Sequence, residues 1–145
     1  MKPFLLDVNA LVALAWPNHI HHAPVTEWFA VHHAGGWATC PLTESGFVRV
    51  SSNPLVTSEA RSPAEALVLL REMVALPGHR FWHDDVSLAK ADHIDAARLH
   101  GHRQVTDAHL LSLTIRRGGR LVTFDRGIRH LTPADTDDDL LVLLE

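Results

Sequence analysis

At 145 residues, 46% apolar and 21% charged, the chain has the size and balance of one compact globular domain, which argues against a fibrous or disordered protein. Its formal charge of −4 argues against a protein that holds nucleic acid by a bulk basic excess, so any phosphate contact must be local. The lone cysteine, Cys40, excludes an intrachain disulfide framework and suits a reducing compartment, where it reads as a small buried residue.

In chain order, Pro3 to Leu6 is a short apolar run ended by Asp7, a first strand, and Ala10 to Ala15 continues as a helix that Pro17 stops. Lys2 with this run is similar to a signal peptide, but Asp7 and Asn9 interrupt its centre and no stretch is long enough to span a bilayer. A cytoplasmic protein without membrane contact is expected. A second helix runs from about His22 to His33, with Val25, Trp28, Phe29 and His32 on one face, and Gly35-Gly36 ends it. Trp37 to Cys40 is a second strand, and Pro41 opens a helix carrying Leu42, Glu44, Phe47 and Val48 that fades at Ser51 to Pro54. Ser62-Pro63-Ala64-Glu65 combines an N-cap, a first-turn proline and an acidic third residue, and Pro77-Gly78 closes the helix it starts.

Arg80 to His83 reads as a third strand, Ser87 to His100 as a helix ending at Gly101, and Asp107 to Arg117 as a helix stopped by Gly118-Gly119. Arg120 to Phe124 is a strand and Leu140 to Leu144 a last edge strand, preceded by a solvated acidic run from Asp135 to Asp139. Strands alternating with helices predict an α/β fold, a mostly parallel sheet covered on both faces, with residues 1–145 as a single unit.

Four acids then stand out among seventeen. In an open parallel sheet the ligand crevice lies outside the carboxyl ends of the strands. Asp7 ends the first strand, Glu44 sits in the turn after the second, Asp107 opens its helix after Val105-Thr106, and Asp125 ends the strand before it. Each residue alone is an ordinary helix cap or first-turn acid. Together they form a crowded oxygen-only cluster, which Mg²⁺ or Mn²⁺ suits best. Asn9, Thr106 and Thr123 lie beside them and are short polar groups able to hold water or a phosphate oxygen. Asp84 and Asp85, which follow the third strand, are the strongest decoys.

All but two of the thirteen Lys and Arg residues are Arg, whose fork suits phosphate. Arg49, about one helical turn past Glu44, and Arg126, beside Asp125, are the candidate RNA phosphate contacts, and Arg116, Arg117, Arg120 and Arg129 share the second region. His19, His21 and His22 lie close together, but with one cysteine and no completing His pair a tetrahedral zinc site is not expected. His109 lies two residues past Asp107, roughly opposite it on the helix, and is not read as a general base. Trp16, Trp28, Trp37 and Trp82 read as core, with Trp16 beside Pro17 suited to a partner groove.

The series Leu5-Leu6-Asp7-Val8-Asn9, Thr43-Glu44, Val105-Thr106-Asp107-Ala108-His109-Leu110 and Val122-Thr123-Phe124-Asp125 resembles the PIN domain family, and most of all its VapC ribonuclease toxins from bacterial toxin–antitoxin pairs. The resemblance runs from residue 3 to about 131. It implies a PIN-like fold of about five parallel strands and an acidic pocket binding Mg²⁺ or Mn²⁺ through Asp7, Glu44, Asp107 and Asp125. It also implies endonucleolytic cleavage of RNA by metal-activated water, a homodimer, and a VapB-type antitoxin partner whose tail blocks the pocket. Asp125 matches the least constant of the four family positions. Two rival readings stand beside it. One is a HAD-like phosphatase with Asp7 as nucleophile, weakened because Asn9 occupies the position where such enzymes place a second acid. The other is a non-catalytic interaction module whose acids serve as caps and bind a basic peptide.

Overall fold

The computed structural model describes residues 2–57, 60–90, 92–134, 136 and 139–145. Five short strands, β1 (Phe4–Leu6), β2 (Trp37–Thr39), β3 (His79–Phe81), β4 (Arg120–Thr123) and β5 (Leu141–Leu143), pair in the order β3-β2-β1-β4-β5. Every pairing is parallel, with Phe4 opposite both Trp37 and Arg120. Helices α1 (Val8–Ala15), α2 (His22–His32), α3 (Pro41–Ser51), α4 (Pro63–Val74) and α5 (Gln104–Arg116) cover the sheet. The alternation of a strand splits the core in two: Phe4 and Leu6 join a cluster with α1 to α4, while Leu5 between them joins one built on α5. This is the α/β parallel sheet the alternating pattern predicts.

Local chemistry sets the helix starts. Ser62 and Glu65 form the reciprocal capping box expected of them, and Asp7 caps α1 by accepting the Val8 N–H. Gly119 at the head of β4 is forced by packing, because an added Cβ would lie 2.6 Å from the Trp82 ring and 2.7 Å from the Pro3 carbonyl. That close approach seats β4 against β1, where Arg120 N–H donates to Pro3 O.

The segment 87–100 departs from expectation. It holds two short 3₁₀ turns, Leu88–Lys90 and Ala96–Arg98, in place of a helix. Among its described residues only Ile94 and Leu99 pack on the second core, five positions apart and so off a common helix face, while Leu88 is exposed. Asp95 accepts the Ala97 N–H and starts its own turn. Helix α5 begins at Gln104, so Asp107 lies inside its first turn and does not open it, and β4 ends at Thr123, two residues before Asp125. In the acidic run, Asp135, Asp137 and Asp138 fall outside the described residues; Asp139 is tied to Arg120 at 2.9 Å and Lys2 at 3.3 Å. No described helix is long and apolar enough to cross a membrane.

Candidate active site

Asp7 emerges from β1, the central strand, and is held at both oxygens. Its Oδ1 accepts the Val8 N–H at 2.7 Å and its Oδ2 accepts the Thr123 hydroxyl at 2.8 Å. Thr123, fully buried at the end of β4, is the hub of this corner. Having given its proton to Asp7, its Oγ1 accepts from Asn9 Nδ2 at 3.1 Å and from the Asp125 N–H at 3.0 Å. Asn9 Oδ1 in turn accepts the Phe124 N–H at 3.2 Å. Asn9 and Thr123, which the sequence marks as accessory polar residues, therefore brace Asp7 and stitch α1 to the β4 exit.

Asp107 reaches the same place from α5, and Asp125 from the loop after β4, where its Oδ1 caps a 3₁₀ turn by accepting the Gly127 N–H at 2.8 Å. The three carboxylates line one cavity of about 670 Å³ together with Asn9, Thr106 and Arg49. Burial, then the charges of Asp7 and Asp125, push the Asp107 carboxyl up to about 7. Burial also raises Asp7, offset in part by the bonds from Thr123 and Val8 and reinforced by the charge of Asp125. Among the described residues none of the three carboxylates has an ion-pair partner.

Such a cluster is electrostatically incomplete. The charge of Asp125 raises both Asp7 and Asp107, a repulsion that a cation would relieve, and an all-oxygen donor set suits a hard divalent ion. The chemistry of the donors thus fits Mg²⁺ or Mn²⁺, although no three described His, Cys, Asp or Glu side chains are drawn together closely enough to enclose an ion.

Glu44 is placed differently. It lies half-buried in the first turn of α3 and borders an adjoining depression; Arg49 borders both that depression and the three-carboxylate cavity. Its Oε2 accepts the hydroxyl of fully buried Thr39 at 2.6 Å, and Thr39 Oγ1 lies 2.8 Å from His79 Nε2. A hydroxyl has one proton, and here Glu44 takes it, so His79 must donate through Nε2–H. Burial lowers the His79 pKa against the opposing pull of Glu44, which keeps the ring neutral. Sequence reading missed both Thr39 and His79. The available signal was a hydroxyl in the apolar strand Trp37 to Cys40.

The other candidates are engaged elsewhere. Arg126 pairs with Glu145 at 3.2 Å on the surface, Arg116 and Arg117 both reach Asp85, and Arg120 holds Asp139. The expected cluster of phosphate-seeking arginines is thus largely used in structure. The decoys have structural roles too: Asp84 lies 2.6 Å from His109 Nε2, and with Asp85 it straps the chain after β3 onto α5. His21 stacks on Phe124 at 4.5 Å and His22 Nδ1 meets the Ala13 carbonyl at 2.8 Å, so these histidines fold the α1–α2 loop back on the site.

A family model described as the PIN domain matches residues 4–132. The chain is 60% identical over 142 residues to ribonuclease VapC38 of Mycobacterium tuberculosis, spanning 97% of this chain and 99% of that protein. It is 51% identical over 124 residues to ribonuclease VapC39 of the same species, spanning 86% and 89%. Among solved structures it resembles M. tuberculosis VapC20, a sarcin–ricin-loop-cleaving toxin, with TM-score 0.61 at 12% identity over 90% of this chain and 99% of that one. It also resembles Rickettsia felis VapBC2 bound to promoter DNA, with TM-score 0.62 at 9% identity over 98% of each chain. At those identities the two structures speak for the fold alone.

Proposed function

The chain belongs to the PIN domain family, and from that premise we propose that it is the endoribonuclease toxin of a VapBC pair, cutting RNA with Mg²⁺ or Mn²⁺ held by Asp7, Asp107 and Asp125. The observation that supports the metal requirement is the convergence of three carboxylates on one cavity, where burial first, and then the charges of Asp7 and Asp125, lift Asp107 to about 7. A divalent ion held by these residues would lower the pKa of a bound water and offset charge on the phosphodiester. Asp7, clamped by Val8 and Thr123, keeps its remaining lone pairs in a fixed direction. Arg49 draws a phosphate toward the acids, and Glu44, oriented by Thr39, serves the same edge from α3.

The phosphatase reading loses its general acid, because Asn9 occupies that position and is bonded to Thr123 and Phe124. Antitoxin binding and homodimerisation belong to the same proposal. They are supported by kinship with VapC ribonucleases. The test is sequencing of RNA ends after induction in cells and after digestion of cellular RNA in vitro with Mn²⁺. We expect discrete 5′-phosphate ends, lost with EDTA and lost in Asp7→Asn and Asp107→Asn. Unchanged ends in either variant would overturn the assignment.

A further inference from the structure

The cavity extends well beyond the carboxylates. Helix α1 lies along it, with Asp7 as N-cap and Trp16 as C-cap, about 13 Å apart at 1.5 Å per residue. Asn9, Val12 and Trp16 follow helical spacing on the lining face, so the cavity runs from the acids toward Trp16, and its lining adds the apolar Val12, Val50 and Val56 beside the polar Asn18, Ser51 and Thr57. A phosphate and its counter-ion need no such apolar extension. The volume, about 670 Å³, is within the roughly 300–1,000 Å³ of small-ligand sites.

Two details give the Trp16 end a chemical preference. The Trp16 indole N–H donates to Ser51 Oγ at 3.2 Å, which fixes the plane of the ring. The guanidinium of Arg61 lies 5.4 Å over that ring and lines only the neighbouring groove, so Trp16 is a partition with Arg61 on the groove side. His19, also in the cavity wall, accepts the His21 N–H on Nδ1 at 3.0 Å. Its neutral ring therefore carries its proton on Nε2, a donor beside an aromatic wall. Burial, with His21 and His22 nearby, lowers the His19 pKa and favours that neutral form.

We propose that the Trp16 end of the cavity is a nucleobase subsite: it receives the base of an unpaired ribonucleotide adjacent to the scissile phosphate, with the base against Trp16 and an acceptor on its edge facing His19 Nε2–H. Unpaired RNA presents splayed bases that stack on aromatic side chains, and such stacking is worth about 1–3 kcal/mol per base. Val56, 61% exposed, stands at the entrance. The position relative to the cut rests on the nuclease reading above; binding of the base does not.

The first arm of the test follows the ¹⁵N-resolved indole N–H of Trp16, assigned with Trp16→Phe, while metal-free protein is titrated with the four ribonucleosides and with ribose. We expect at least one nucleoside to shift it and ribose to leave it in place. The second arm digests a random-sequence RNA pool with Mn²⁺ and sequences the ends. Wild type should show a base preference within two nucleotides of the cut, relaxed about tenfold in Trp16→Ala and in the surface variant Val56→Asp, and kept in Trp16→Phe. An indole signal unmoved by every nucleoside overturns the subsite, as does a preference unchanged in both Trp16→Ala and Val56→Asp. If wild type cuts nothing, the nuclease reading fails and the nucleoside titration alone decides the subsite.

Discussion

Asp107 makes the site respond to pH near neutrality. Its carboxyl titrates near 7 in the folded protein against 3.8 for an ordinary aspartate, with burial the larger cause and Asp7 and Asp125 the next. A raised carboxylate pKa means the native state holds a proton that the unfolded chain has released. Its stabilising contribution is therefore complete below about pH 4 and lost as pH rises through about 7. We expect metal-free protein to lose thermal stability across that window, and Asp107→Asn, which cannot ionise, to lose less. At pH 7.5 the variant should melt higher than wild type by an amount of the order of 5 °C, read by calorimetry with chelator present. Equal midpoints for the two proteins would contradict the electrostatic account. Thr39 gives a second residue-scale test. Thr39→Val keeps the shape but leaves both Glu44 and His79 without their buried partner, at a cost of about 1–3 kcal/mol in urea unfolding, with slower RNA cleavage. Thr39→Ser should restore both.

At the scale of elements, the site depends on how closely α3 approaches α1. A Cβ on Gly46 would stand 2.5 Å from Val8 Cγ2, and Val8 is the residue whose N–H fixes Asp7. Gly46→Ala should therefore push the start of α1 and the carboxylate with it, lowering RNA cleavage about tenfold while costing about 1–3 kcal/mol of stability. Adding Val8→Ala should return cleavage toward wild type, measured as initial rate on one RNA with saturating Mn²⁺. A double variant as slow as Gly46→Ala would show that the helix contact does not set Asp7. The same elements show where reading the chain succeeds. Apolar runs closed by Asp7, Pro41 and Asp125 identify β1, β2 and β4, because strand burial and helix starts are local signals. Segment 87–100 misleads because Leu88, Ile94 and Leu99 are apolar without sharing one face. Asp107 is found by its motif, but its place is a helix turn reached from a loop, which only tertiary packing sets.

For the molecule as a whole, the sheet order β3-β2-β1-β4-β5 places the first and fourth strands side by side, and this joins Asp7 to Thr123 across 116 positions of sequence. Composition registers the net charge of −4 but not that its acids converge while Arg116, Arg117 and Arg120 are tied to acids elsewhere. Legible in the chain were the acids and their order; illegible were the hub role of Thr123, the separate setting of Glu44 and the pairing of the arginines. These depend on distances that only the folded chain sets. A fold that concentrates carboxylates without ion-pair partners keeps unrelieved repulsion at neutral pH, so the free protein should gain stability from a divalent cation that enters. Binding to the native state alone contributes RT ln(1 + [L]/Kd), about 2.7 kcal/mol at a hundredfold excess over Kd, or a rise of roughly 8 °C in melting temperature for a chain of this size. Mn²⁺ should produce that rise at pH 7.5, less of it at pH 5.5 where protons compete at Asp107, and little of it in Asp7→Asn combined with Asp107→Asn. K⁺ at matched ionic strength should not reproduce it, and calorimetry showing the same rise with K⁺ would reduce the effect to general screening.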